Sequence, residues 1–582
     1  MGGFLKKTIK TMKKLITLVF LLSFLGSKAQ DTSFTAKAGK WTLPSTWIGG
    51  KTPKPGNHIV AYHKLTIDTS ISIAGLKAND LLVDPNKELR IVTTENIVIK
   101  NLTWKSSLKQ EIIFEGINEN DYRGGGMDIP KSDKGLYITG NTLVAGSGKT
   151  PWTNLKSGVA AGDSIIKVNS ATGWKAGDRI VLTATNGNYK NFDTCIIKST
   201  STTTITLLKP LTYNHNANYN KFTKKYIYGE VLNLTRNLKI SGTPTGRAHI
   251  IFLMAGKQMI SNLEVSYMGP RKNKDEVLGR YNFHFHHCGD GSIGSVIKGV
   301  VVRDGGSNGF VPHASNGILF EDDIVWGLTW SNGYWWDFPD STMDNSSHGI
   351  TFNRCVAGNI KTEAATAYSL AGFVLGVGTN NTVKNCIVNS NYGAAGSAGY
   401  LWPARANYQP NTWVVENNMT HDVRENGLRV WQNDSSNHVI KGFVAYNCME
   451  SGMSVGAYHQ NYHFDSSYLI SNKYSIVLHA NPIPKGDKDK YGYILSFYNI
   501  KATDSLYLAP HTLINEGSTG FVNCSFPGVI VSELPRRVPF AIGFYDFINC
   551  NLLPSNFKVY GMEVGSLIKI KNADGSTYEI KQ

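Results

Sequence analysis

From about Ala248 the chain repeats one shape: a short alternating strand, a polar corner, then a second short strand. Ile260–Val265 (ISNLEV), Gly317–Val325 (GILFEDDIV), Gly349–Val356 (GITFNRCV), Thr382–Val388 (TVKNCIV), Trp413–Asn418 (WVVENN) and His438–Val444 (HVIKGFV) are successive copies. With the corners at Asp322, Arg354, Asn385, Asn417 and Lys441, the offsets run from 24 to 32 residues. That is a solenoid period, because one such unit cannot bury its apolar face alone and must stack on the next. A right-handed parallel β-helix satisfies it, with equivalent side chains forming interior ladders. A β-sandwich would place turn signals every ~8–12 residues without this register.

The rest of the chain agrees with an all-β fold. Fifty-eight glycines, with Asn, Ser and Thr runs between short apolar segments, favour many short strands joined by turns. No helix is expected beyond the first residues. Seven cysteines in an exported chain would suggest disulfides. However, Cys355, Cys386, Cys524 and Cys550 recur in matching contexts after a polar residue, which reads as a buried ladder of small side chains. The odd count leaves at least one thiol unpaired.

At the start, Lys6, Lys7, Lys10, Lys13 and Lys14 precede the apolar run Leu15–Leu25 and then Ser27-Lys28-Ala29. This predicts a signal peptide over residues 1–29, cleaved after Ala29, with Met12 as an alternative start. The run is short for a bilayer span, so export without stable membrane insertion is expected, to a periplasm, the cell surface or the medium. Six lysines leave with the leader and no acid goes with them, which lowers the formal charge from +16 to +10. A monomeric, moderately basic exported protein fits an acidic polysaccharide partner, with simple solubility as the alternative meaning of the charge, and no nucleic-acid partner is expected.

Residues 30–148 read as a first β module, opening with turn residues around Trp41 and Trp47 (WTLPSTWIGGKTPKPGNHIV). Residues 149–247 form a β-rich connection or the first coils, with a tight turn at Gly177-Asp178, residues 248–480 the helix, and 481–582 further coils or a cap.

The candidate chemistry centres on Gly279–Asp290 (GRYNFHFHHCGD). In a strand, His284 and His286 share one face, while Phe283, Phe285 and His287 take the other. The offsets from His284 to His313 and from His313 to Asp337, 29 and 24 residues, each suit one coil. A column of His284, His286, His313 and Asp337 would suit a divalent transition metal with an open position, or metal-free acid–base work. Asp337 and Asp340 lie in WWDFPD beside Tyr334, Trp335 and Trp336. Paired carboxylates beside aromatic faces are what glycoside hydrolysis uses, although the same residues could cap a coil. Arg280, Arg271, Lys272 and Lys274 form a basic loop that could neutralise uronate groups at a groove mouth. Trp402, Arg405, Arg429 and Trp431 could line the same face or pack. Asp322 and Asp323 read as corner residues, and Gly124-Gly125-Gly126 has no following helix and so is not a phosphate loop.

The Trp, Pro and Gly spacing of Trp41–Val60 resembles the opening of the G-eight (G8) domain. Gly135–Ile138, Lys149–Leu155, Ala161–Asp163 and Gly173–Leu182 resemble its continuation. Gly279-Arg280-Tyr281 with His284-Phe285-His286 resembles the central motif of a family that includes the cell migration-inducing and transmembrane cell-surface hyaluronidases. Ala248–Ile250, Tyr267–Gly269, His313 with Asn316-Gly317, Tyr334–Asp337, Ala394–Tyr400 and Asn426–Leu428 also match, in order, over residues 40–450. The sequence departs from that motif at Asn282, where those proteins usually carry Pro or Ala. The resemblance implies a pectin-lyase-like β-helix that hydrolyses a glycosaminoglycan-like polymer. Its site would be His284, His286, His313 and Asp337, with Asp340 as a second acid. A lyase on the same scaffold and a non-catalytic glycan-binding protein remain as alternatives.

Overall fold

A computed structural model describes residues 31–330, 332–334, 346–361, 370–393, 396–402, 411–430, 437–456, 461–479, 488–509, 517–532, 544–562 and 564–581. The expected leader, residues 1–29, lies outside them. Among the described residues there are strands and a few single 3-10 turns, and no helix is long and apolar enough to cross a membrane.

The strands form three parallel sheets that share one interior. In the first, Thr32–Phe34 pairs with His58–Ala61, and pairing then runs coil by coil through His249–Leu253, Phe283–Gly289 and Phe310–Ser315 to Phe557–Val559. The second runs from Gly39–Lys40 to Leu567–Lys571 and closes on an antiparallel strand, Thr577–Lys581. That strand covers an edge that would otherwise template further pairing. The third runs from Ile71–Ile73 to Lys501–Ala502. The interior holds aliphatic residues and stacked rings. Phe310, Tyr334, Phe373 and Tyr400 lie 5.2, 4.4 and 5.1 Å apart, and Phe464, Phe497, Phe521 and Phe547 follow at 4.8, 4.9 and 4.7 Å.

The polar corners between the second and third sheets are single residues in the left-handed region. Asp322, Arg354, Asn385 and Asn417 have φ of 57, 56, 56 and 54°. The next corner is Gly442 (φ 68°), one residue beyond the expected Lys441, which still pairs with Glu416 and Asp465 in the ladder. Asn and Asp tolerate this conformation better than other side chains, and Gly best. The residue after each corner turns inward, which buries Cys355, Cys386, Cys524 and Cys550; all seven cysteines are buried and free of disulfides.

The domain plan differs from the expectation. Coils already run through residues 32–145, so residues 30–148 are the start of the solenoid and not a separate module. Their period escaped the sequence because these coils are short: His58 pairs with Gly75, 17 residues on, and Leu76 with Ile97, 21 on. Residues 481–582 supply both further coils and a closing strand.

Residues 152–233 form an inserted antiparallel domain. It has a six-stranded sheet, a separate hairpin and its own core around Ile180, Leu182, Ile197 and Val231. It packs Trp152, Val181, Leu232 and Leu234 against Val301, Ile324, Trp326, Val356 and Ile387 on the outer face of the third sheet. Within that contact His421 is fully buried, its Nε2 2.9 Å from Glu230 of the insert and its Nδ1 3.0 Å from Asp422. Burial works against the charged imidazole, but Glu230 and Asp422 outweigh it and push the pKa up to about 10.

A raised pKa means that this contact contributes fully below the unfolded value of about 6.5 and fades as pH climbs through 10. Thermal unfolding across pH 6–10 should therefore show a falling Tm that flattens in His421→Ala. The variant itself should lose about 3–5 kcal/mol at pH 6, because two buried carboxylates lose their partner. An unchanged Tm profile in the variant would contradict the assignment.

Candidate active site

Phe283 and Phe285 point into the solenoid, where Phe285 stacks on Phe252 at 4.8 Å and Phe283 packs at a tilt against Phe310 at 5.2 Å. Alternation therefore turns His284 and His286 outward. On the next coil Phe283 pairs with Phe310 and His286 with His313, so the third imidazole arrives on the same face through the coil register. The ring centroids are 4.8 Å apart for His284 and His286, 5.8 Å for His284 and His313, and 4.9 Å for His286 and His313. One ring nitrogen from each lies within 4.8 Å of the others.

His287 is not on the opposite face, as alternation implied. It has a φ of 51° and is the corner residue at the end of the first sheet, in line with Met254 (43°) and Ala314 (45°) on the neighbouring coils. The left-handed turn brings its ring back to 4.6 Å from His286 and 4.7 Å from His313, while Cys288 takes the interior position. The site thus gathers four imidazoles where the sequence suggested three.

The cluster is nearly closed: His284 is 0% exposed, His286 8% and His313 6%. Burial is the largest cause that drives the His284 pKa well below its ordinary value and His286 down to about 3, with the neighbouring histidines adding to it. Both are therefore neutral at physiological pH. His284 Nδ1 donates to the Gly279 carbonyl at 3.0 Å, which fixes the tautomer, and its Nε2 is buried with no hydrogen-bond partner. His286 Nδ1 and His313 Nδ1 are 3.1 Å apart. Two nitrogens each ~2.0–2.1 Å from a tetrahedral metal would sit about 3.3 Å apart. Neutral imidazoles with an orphaned buried lone pair fit a divalent transition metal.

The expected substrate groups are placed differently. Arg280 is buried rather than at a groove mouth. Its Nε donates to Asp133 Oδ2 at 2.8 Å and a terminal nitrogen to the Gly125 carbonyl at 3.0 Å. Asp133 also accepts the N–H groups of Arg123 and Gly124. Burial alone would raise its pKa, but these donors, Ser132 and Arg280 hold it below the usual range. Gly124–Gly126, each left-handed, carry the loop over this pair. Asp133 was not identifiable from spacing, since 147 residues separate it from Arg280. Tyr334 is an interior ring whose hydroxyl donates to the Asp323 carbonyl at 2.9 Å, and not a sugar platform. Trp402 is likewise core, 4.4 Å from His438. Lys272 is exposed, with Nζ donating to the Tyr122 carbonyl at 2.9 Å, and the Arg271 guanidinium lies 5.0 Å over Trp330. Arg429 is half-buried on an outer face. Asp337, Asp340, Trp335, Trp336, Arg405 and Trp431 lie outside the described residues. Tyr334 pairs with Phe310 at an offset of 24 residues.

No protein-family model matches the chain. In sequence it is 25% identical over 333 residues to fibrocystin of Canis lupus familiaris, covering 51% of this chain and 8% of that protein. It is 22% identical over 476 residues to fibrocystin of Mus musculus (74% and 11%). It is 20% identical over 332 residues to a G8 domain-containing protein of Dictyostelium discoideum (51% and 23%). The last likeness supports a G8 domain here, and the chain spans under a quarter of the length of each of these relatives. Among solved structures, the Gp54 tailspike of Acinetobacter baumannii bacteriophage AP22, in complex with capsular saccharide, matches at 11% identity and a TM-score of 0.22, covering 84% of this chain and 74% of that one. The catalytic domain of a GH87 α-1,3-glucanase matches at 10% and 0.27, covering 71% and 90%. Overlaps that loose carry no argument about the site.

Arg280→Ala tests the placement of the guanidinium. Leaving Asp133 buried and unpaired should cost about 3–5 kcal/mol in denaturant unfolding, and the double variant with Asp133→Asn should recover part of it. A fully stable Arg280→Ala protein would return Arg280 to the list of surface residues.

Proposed function

We propose that this chain is an exported carbohydrate-active enzyme that hydrolyses an acidic, glycosaminoglycan-like polysaccharide at the His284–His286–His313 cluster. The observation that carries the reading is the convergence of three ring nitrogens within 4.8 Å on one outer face, with His284 and His286 held neutral by burial. The residues fit a divalent metal bound by His284, His286 and His313. Such an ion, when bound, supplies a water acidic enough to act at neutral pH. The Gly279 carbonyl keeps the His284 proton on Nδ1 and reserves Nε2 for coordination. Lys272 and Arg271, on the loop that precedes the histidine strand, would meet the acidic groups of the polymer. Asp337 and Asp340 are the proposed acid pair, with Trp335 and Trp336 stacking on sugar faces. The motif resemblance to hyaluronidases supports the substrate class, and the basic, apolar start of the chain supports export.

The lyase reading is weaker on one count. An imidazole held at about 3, as His286 is, is a poor acceptor for the proton beside a uronate carboxylate.

Residues 30–582 incubated with acidic and neutral polysaccharides should shorten an acidic polymer without the ultraviolet absorbance of an unsaturated uronate. Chelator should abolish the shortening and added divalent transition metal restore it, while His284→Ala should lower the rate on the order of 100-fold. Absorbance appearing with shortening would make the enzyme a lyase. Saturable binding without shortening of any polymer would make it a binding protein.

A further inference from the structure

We propose that the inserted domain carries a second glycan site, an acidic-polysaccharide-binding surface on the hairpin formed by Asn218–Asn220 and Lys225–Ile227. It lies on a different domain from the histidine cluster and stands whether or not that cluster is catalytic.

The first argument is charge. Between Asp193 and Glu230 the chain has five lysines and no carboxylate. Both flanking acids are buried and engaged: Asp193 lies 3.0 Å from His215 and accepts the N–H groups of Thr212 and Tyr213, while Glu230 contacts His421 and Thr183. Residues 152–233 contain ten Lys and Arg against four acids, so most of the positive excess of the exported chain sits on this one domain. Lys221 lies 5.1 Å over the Phe222 ring and faces Asp504. Lys224 and Lys225 are exposed, and no ion pair involves them among the described residues. Their ammonium groups are available to a polyanion.

The second argument is the aromatic strip. Tyr219 and Tyr226 are cross-strand partners with ring centroids 5.1 Å apart, 51% and 56% exposed. Tyr228 is two residues on, its ring 6.2 Å from Tyr226. Adjacent rings left this open on a folded surface mark a contact site. Tyrosine offers a flat apolar face to a pyranose ring and a hydroxyl to its substituents.

The third is rigidity. Asn220 is buried, and its side-chain oxygen accepts the N–H groups of Phe222 and Thr223. Asn218 Nδ2 donates to the Thr185 carbonyl at 2.9 Å, and Phe222 stacks on Tyr468 of the solenoid at 6.3 Å. The strip is therefore held in place before any ligand arrives, which lowers the entropic cost of binding. A nucleic acid is disfavoured because no arginine occurs between Arg179 and Arg236, and phosphate recognition draws on the arginine fork.

The test uses the whole exported chain and measures equilibrium binding of hyaluronan, heparin and polygalacturonate, with dextran, single-stranded DNA and phosphatidylserine vesicles in parallel arms. At least one acidic glycan should bind saturably and weaken as salt is raised. The pairs Tyr219→Ala/Tyr226→Ala and Lys224→Glu/Lys225→Glu should each weaken it by about tenfold or more, with unfolding temperature unchanged because all four side chains are exposed. The hairpin pairs should weaken binding equally in the parent and in a His284→Ala background, while the hairpin variants should keep any turnover of short oligosaccharides, so failure of the site and failure of the catalytic reading give different results. No acidic glycan bound, binding unmoved by both hairpin pairs, equal binding of dextran, or tighter hairpin-dependent binding of DNA or vesicles would each overturn the proposal.

Discussion

From Asn262 onward the coils of this solenoid leave the second sheet and enter the third through one residue with a left-handed backbone, and the structure depends on that turn. Such a residue costs roughly 1–2 kcal/mol when it is not glycine. The chain repeats it at Asp322, Arg354, Asn385, Asn417, Ser466, Asn499, Asn523 and Asn549. The cost is offset because a one-residue corner keeps neighbouring coils in register, so that parallel ladders form on all three sheets. With the backbone paired, the interior can be filled by aromatic stacks and unpaired cysteines without stranding backbone polar groups.

The same register makes the site. His313 meets His286 because their coils are locked by Phe283 on Phe310 and Phe285 on Pro312, not because the two histidines attract each other. Close packing of neutral imidazoles follows from burial, which removes the charge that would drive them apart. Asp133 and Arg280 tie down the loop at Gly124-Gly125, and the Arg280 charge adds to the burial that keeps His284 neutral.

The inserted domain follows a different logic. Its apolar sheet covers the third sheet, and Glu230 closes that contact through His421. Asp178, Asp193 and Glu230 are buried against Lys149, His215 and His421, while Lys221, Lys224 and Lys225 remain outside. The histidine cluster and the lysine–tyrosine hairpin thus stand on separate elements, the first on the solenoid and the second on the insert.

The sequence by itself determined the all-β solenoid, the polar corners, the cysteine ladder and the shared face of His284 and His286, because period and alternation are local properties of a chain. The short N-terminal coils hid their period, and the insert interrupted it between Ala145 and Leu238. Only the tertiary structure decided that His287 joins the cluster, since a left-handed corner overrides alternation. It alone decided that Arg280 and Tyr334 are buried, and that Asp133 rather than a substrate holds the guanidinium. Partners 147 residues apart leave no periodic trace, because their contact is set by how a loop folds back over a finished coil.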